Sequence, residues 1–171
     1  MAGLDWLVIG GGPSRHAVGL GWGNGAGQVA AANSGVEAAI DAGLRLDAAW
    51  LSDPVAVSLY GERIQACQRA GCRVLTARGV CPWADEDVAI ERERATAYEQ
   101  GRWGMCRLSG LMLIQWLLNR CGRPLRLGLA GYDGYGDRWD EALIEPWLTS
   151  VERQEGVAVR YAALPMWRTG S

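Results

Sequence analysis

The sequence predicts an α/β fold: one Rossmann-like domain over residues 1–171, with a mainly parallel sheet of about six strands and helices on both faces. Three observations carry this. Short apolar runs alternate with longer helical stretches. Four of those stretches end in glycine just before the next run, at Gly43, Gly71, Gly122 and Gly156. Capping residues stand at the helix starts, as βα units require.

The elements follow in order. Asp5–Gly10 (DWLVIG) reads as a buried strand, and Gly10-Gly11-Gly12-Pro13-Ser14 follows it and opens a helix, with Pro13 suited to the first turn. Gln28–Ala32 (QVAAA) is the second strand. Ser34-Gly35-Val36-Glu37 is a capping box, so a helix runs from there to Gly43. Asp47–Leu51 (DAAWL) is the third strand, and Asp53-Pro54 reads as an N-cap with proline at N1 of a helix ending at Gly71. Arg73–Thr76 is the fourth strand. An additional helix is expected over Asp85–Gln100, with its ERER stretch as a solvated face. Ser109 caps a helix that stops at Gly122, and its stretch LMLIQWLL is apolar nearly all round, so it belongs in the interior. Leu125–Ala130 is the fifth strand, Asp137 opens a helix ending at Gly156, and Val157–Tyr161 is the sixth strand.

Composition narrows the function. Apolar residues make up 49%, charged residues 21% and the net charge is −2, an ordinary globular balance without the basic excess of a general duplex nucleic-acid binder. No apolar run reaches the roughly 18 residues of a membrane span. The start, MAGLDWLVIGGG, lacks the basic region of a signal peptide, so a cytoplasmic protein is expected. All 17 basic residues are arginine, which removes lysine Schiff bases and the lysine-dependent phosphate loop. The five cysteines (67, 72, 81, 106 and 121) form no CxxC pair, and His16 is the only histidine, so they read as small hydrophobes and no metal site is expected. Nine tryptophans could include the anchors of a homo-oligomer.

In a parallel α/β sheet, ligands bind at the carboxyl ends of the strands. Gly11, Gly12, Pro13 and Ser14 follow strand one, Asn33 strand two, Ser52 and Asp53 strand three, and Gly131, Tyr132 and Asp133 strand five. Ser109-Gly110, at the start of a helix antiparallel to the strands, comes to the same edge. Glycines let main-chain N–H groups approach a phosphate, and a helix start adds positive potential. A nucleotide is therefore the expected ligand, with Asn33 reading a base or ribose edge. Asp53 and Asp133 are candidate bases or ligands of a Mg²⁺ accompanying the nucleotide, and Arg78, Arg102 and Arg107 would stabilise phosphate charge. His16 is the one conventional base at neutral pH. Each has a plainer role: Asp53 as N-cap, Asn33 as a loop residue, His16 on the surface, and GYDGYGD as a cluster of turns.

GGGPS, Asn33, Ser52-Asp53, Ser109-Gly110 and Gly131-Tyr132-Asp133, in that order, resemble a known superfamily. The set is similar to the bacterial sialyltransferases of glycosyltransferase family 42, and to the proteins of unknown function 115 that include archaeal 6-hydroxymethylpterin diphosphokinases. SGLMLIQWLLNRCGRPLRLGLAGYDGY matches their order of Ser-Gly, apolar helix, strand and Gly-x-Asp turn. The resemblance implies that Gly11, Gly12, Pro13, Ser14, Asn33, Ser109 and Gly110 surround a nucleotide, with Gly131, Tyr132 and Asp133 completing the site. The sialyltransferases' catalytic histidine beyond that turn has no counterpart, because no histidine follows His16.

The expected function is thus a small nucleotide- or nucleotide-sugar-dependent transferase, for glycosyl or diphosphoryl transfer. The alternative is a non-catalytic nucleotide-binding or sequestering module. VIGGGPS also looks like a flavin or nicotinamide fingerprint, although Arg15 takes the place of its third small residue and Asn33 that of its acidic residue.

Overall fold

Strand residues here feed two apolar cores on opposite faces of one sheet, because side chains alternate along each strand. The computed structural model describes residues 3–89, 105–133 and 138–163, and the side chains of residues 105–108 and 138–144 lie outside that description. The strands are β1 (Trp6–Ile9), β2 (Gln28–Ala32), β3 (Ala48–Trp50), β4 (Arg73–Thr76), β5 (Glu86–Asp87), β6 (Leu125–Ala130) and β7 (Val157–Tyr161). They form a seven-stranded sheet in the order β5-β4-β3-β2-β1-β6-β7, and every neighbouring pair is parallel.

A 3₁₀ helix (Pro13–Leu20), α1 (Ser34–Asp41) and α2 (Pro54–Arg69) follow the first three strands, and α3 (Met105–Arg120) and α4 (Arg138–Glu152) precede the last two. Val18, Val36, Ala39 and Ile64 pack with Leu7, Ile9, Ala31 and Val74 on one face. Leu113, Ile114, Leu117, Leu148 and Val151 pack with Val8, Trp50, Leu127 and Leu129 on the other. The chain therefore winds outward from β1 to β5, crosses the sheet, and continues from β6 beside β1. This is the doubly wound α/β fold that the sequence predicts, with its topological switch between β1 and β6. Among the described residues no helix is long and apolar enough to cross a membrane.

The amino end of the sheet repeats one device. Asp5, Asp47 and Asp85 each stand one residue before a strand. Each donates its own N–H to the carbonyl of the neighbouring strand's second residue (Arg126, Val29 and Val74) at 2.8–2.9 Å. Each carboxylate accepts the N–H of that same residue at 2.7–2.9 Å. The aspartate side chain supplies the acceptor that a longer strand would have provided from its backbone.

Several elements differ from expectation. β5 and its neighbours replace the start of the helix expected over Asp85–Gln100, whose residues from 90 onward lie outside the description. The Asp85 clamp and the grip of Arg73 (2.9 Å) and Arg120 (2.6 Å) on Glu86 hold this segment as an edge strand. Glu86 is held below the usual carboxylate range: burial alone would raise it, and hydrogen bonds from Arg120, Trp116 and Arg73 outweigh that. The helix opened by GGGPS is 3₁₀, not α. Asn33, not Ser34, holds the N-cap position of α1 and makes no side-chain cap bond, so the capping box does not form. The first turn of α1, which includes Ser34, lies against the end of β1, where a Cβ on Gly35 would fall 2.2 Å from the Ile9 carbonyl oxygen. α3 begins at Met105, which puts Ser109 inside it. Gly43, Gly71 and Gly156 do take positive φ after their helices (71°, 103° and 74°), as helix-ending glycines do. Cys72 and Cys81 are buried in the core with Leu7, Ile9 and Val74, and burial pushes the Cys72 thiol up to about 12, which keeps it a protonated packing group.

Candidate functional site

The residues that the sequence sends to the carboxyl edge form a connected chain of contacts there. Asn33 donates its main-chain N–H to the Trp50 carbonyl at 3.2 Å. Trp50 and Ser52 lie two positions apart, hence on one face of the β3 end, and Trp50 Nε1–H donates to Ser52 Oγ at 2.7 Å. Ser52 Oγ and Ser109 Oγ meet at 2.9 Å, which ties β3 to α3. Both serines are completely buried, as is Trp50. Ser109 thus spends its hydroxyl on the sheet rather than on a helix start.

The next residue, Gly110, packs on Tyr132. Its carbonyl accepts from the Tyr132 hydroxyl at 3.0 Å, and a Cβ on Gly110 would lie 3.0 Å from the phenol ring and oxygen. The Tyr132 ring is 2% exposed and fills the space between Gly10 and Gly110. Tyr132 is therefore a wedge joining α3 to the ends of β1 and β6.

At the switch point the loop after β1 and the turn after β6 are pinned together. Gly12 N–H donates to the Gly131 carbonyl at 2.7 Å. Gly131 N–H donates to Ser14 Oγ at 2.8 Å. Ser14 N–H donates to Asp133 Oδ1 at 2.9 Å, and the Ser14 hydroxyl makes a very short bond to the same oxygen. A Cβ on Gly12 would fall 2.3 Å from the Asp133 carbonyl oxygen, so only glycine permits this approach. Gly131 turns through φ 79°. Arg15, where the dinucleotide fingerprint has a small residue, donates back to the carbonyls of Gly11 (2.7 Å) and Gly12 (3.2 Å). The anion expected beside Ser14 is present as the chain's own carboxylate, and Gly11 and Pro13 are exposed at the loop's outer side.

The remaining candidates are placed as follows. Asp53 caps α2, its Oδ1 accepting from Val55 N–H at 2.8 Å. His16 is exposed on the 3₁₀ helix and lines, with Arg15, Glu37 and Asp41, a cleft of about 160 Å³ beside α1. Arg78 sits just past β4 with φ 58°. Arg102, the Arg107 side chain and residues 134–137 of the GYDGYGD turn lie outside the described residues. Among the described residues, no group of three or more His, Cys, Asp or Glu could hold a metal ion.

Two features escape a motif search. Trp50 anchors the serine pair, and its signal is the i, i+2 spacing to Ser52. Asn33 is 5% exposed and adopts φ 48°, ψ −117°, a region that costs a side-chain-bearing residue of order 1–3 kcal/mol and persists where the surroundings hold it. Set against models of known protein families and against curated proteins, the chain matches none.

Proposed function

We propose that this chain binds a nucleotide or nucleotide sugar at the carboxyl edge of its sheet and uses it as the donor in a glycosyl or diphosphoryl transfer. One observation carries the reading. Asn33, Ser52, Thr76 and Ser109 are the buried polar side chains among the described residues, and all four lie at that edge. Burying a hydroxyl or amide costs free energy unless it is hydrogen-bonded, so packing alone gives no reason to gather them at one end. Thr76 has a local duty, since its hydroxyl accepts Cys81 N–H at 3.1 Å. Asn33 and Ser52 follow β2 and β3, on the β1 side of the switch point, and Ser109 joins Ser52 there; this carboxyl edge is where doubly wound sheets take their ligands. In this reading Gly11, Asn33 and Asp53 face the ligand. Gly12, Pro13, Ser14, Ser52, Ser109, Gly110, Gly131 and Tyr132 fix the loops around it, and Asp133 serves as base.

A thermal-shift panel of CMP, CDP, ATP and sugar nucleotides, with and without Mg²⁺, tests the binding. Stabilisation by one of them is expected, since a ligand at 100 times its Kd adds about 2.7 kcal/mol. No shift from any of them overturns the reading. A non-catalytic binding module is favoured by a different observation: Asp53 and Asp133 each already hold a main-chain N–H. Mass spectrometry of the bound nucleotide separates the two. Product that accumulates, and disappears in Asp133→Ala, supports transfer; a ligand recovered unchanged supports the module.

A further inference from the structure

We propose that Ser14 and Asp133 form a latch that holds the switch-point crevice closed, so that an anionic ligand must displace Asp133 to enter. The inference rests on the nucleotide reading above and assigns that site its regulation.

The loops after β1 and β6 lead to opposite faces of the sheet: the 3₁₀ helix packs by Val18 on one core, and α4 packs by Leu148 and Val151 on the other. Diverging loops of this kind leave a crevice in doubly wound sheets. Here, among the described residues, they are drawn together by four hydrogen bonds. One, Gly12 N–H to the Gly131 carbonyl, is between backbones. The other three pass through two side chains: Gly131 N–H to Ser14 Oγ, and Ser14 N–H and Oγ–H to Asp133 Oδ1. Ser14 and Asp133 are both partly exposed, whereas Tyr132 beside Asp133 is buried against Gly10, so the latch opens by release of the Asp133 side chain and not by parting of the strand ends.

The chemistry of the latch sets its ligand. Asp133 presents a negative charge to two donors of the β1 loop. A phosphate oxygen competes for the same donors and is repelled by the carboxylate while the latch is shut. The apparent affinity for an anion is then reduced by the fraction of molecules in which the latch is open. Removing the charge while keeping the shape releases that restraint.

The experiment measures binding of inorganic pyrophosphate and of CDP to the full chain by calorimetry, for wild type, Asp133→Asn and Asp133→Ala. Asp133→Asn is expected to bind pyrophosphate on the order of tenfold more tightly, the factor for a latch open in about a tenth of molecules. Asp133→Ala, which removes the charge and the acceptor but leaves both Ser14 donors, is expected to gain at least as much, and it decides the matter if Asp133→Asn does not fold. Unchanged or weaker anion binding in whichever variant folds overturns the latch. The nucleotide reading fails separately. CDP bound equally by wild type and variants refutes the latch alone, whereas pyrophosphate gained with no nucleotide of the panel bound refutes the nucleotide reading alone.

Discussion

At the amino end of the sheet, Asp5, Asp47 and Asp85 each close one pair of main-chain groups with the next strand, and the chain turns there on glycines such as Gly43, Gly71 and Gly156. At the carboxyl end, side chains bond to side chains: Trp50 to Ser52, Ser52 to Ser109, Ser14 to Asp133. There, too, the non-glycine residues Asn33 and Arg78 take positive φ. The first arrangement ties each strand only to its immediate neighbour, so damage to it should stay local. The second links β1, β3, β6 and α3 through shared atoms, so damage should spread. A fold needs the first kind of edge for its own integrity; the second costs burial and backbone strain that stability alone does not require.

The largest effect is expected at Gly12. In Gly12→Ala the new methyl lies 2.3 Å from the Asp133 carbonyl oxygen and 2.9 Å from that of Gly131, both backbone atoms that yield only if the loops part. Chemical denaturation should show a loss of about 3 kcal/mol or more. An Asp133→Asn background should recover part of it, because the latch is then weaker. Full additivity of the two changes would mean that the loops at this edge are not coupled.

Asp47 provides the contrast. Asp47→Ala leaves the N–H of buried Val29 without the carboxylate that accepts it at 2.9 Å, a loss of about 2 kcal/mol. Asp47→Asn keeps an acceptor oxygen and should cost under about 1 kcal/mol. Neither change should alter nucleotide binding measured by calorimetry. A change in ligand affinity from either would erase the distinction between the two ends.

The serine pair tests coupling directly. Ser52→Ala removes the acceptor of Trp50 Nε1–H and the partner of Ser109 together. Each single change should cost about 1–2 kcal/mol in denaturation, and the double mutant less than their sum by about 1 kcal/mol. If the two changes simply add, Ser52 and Ser109 act independently and the carboxyl-edge network ends at Ser52.

Much of this contrast can be read from the chain before folding. Alternating runs and helix-ending glycines give six of the seven strands and the parallel α/β sheet, and Asp53-Pro54 gives the start of α2. The carboxyl-edge residues are legible as a group because strand ends and loop composition locate them. What each does there is not. The glycines of GGG read equally as room for a phosphate or as room for a neighbouring backbone, and Gly12 meets Asp133. Tyr132 reads as a ligand contact, yet its ring is taken into the interior by Gly10 and Gly110. Asp85 and Glu86 carry a helix-like pattern, and only the distant partners Val74, Arg73 and Arg120 make that segment a strand. These outcomes depend on residues far apart in sequence, which local spacing does not encode.

The smallest effect belongs to Asp5, and it asks whether an amino-end clamp works by charge or by shape. The Arg126 guanidinium donates at 2.6 and 3.1 Å and the Arg126 N–H at 2.8 Å, and this hydrogen bonding holds the Asp5 carboxyl below its ordinary value of 3.8. A lowered folded-state pKa means that the ionised form is the one that folding favours. Its contribution is therefore present above the unfolded-state pKa, about 3.9, and is lost as pH falls through the lower folded-state value. Asp5→Asn keeps an acceptor for the Arg126 N–H, deletes the charge, and replaces the oxygen that accepts from the guanidinium Nη2 with an NH2. Thermal melts of wild type and Asp5→Asn should differ slightly at pH 7, and the gap should begin to narrow below about 4 and close only once pH has fallen through the lower folded-state value, where the wild-type carboxyl is neutral as well. A gap that persists unchanged to low pH would mean that the ion pair contributes nothing and that geometry alone makes the clamp. The amino end would then differ from the carboxyl end only in using a backbone partner, with no electrostatic part in the comparison.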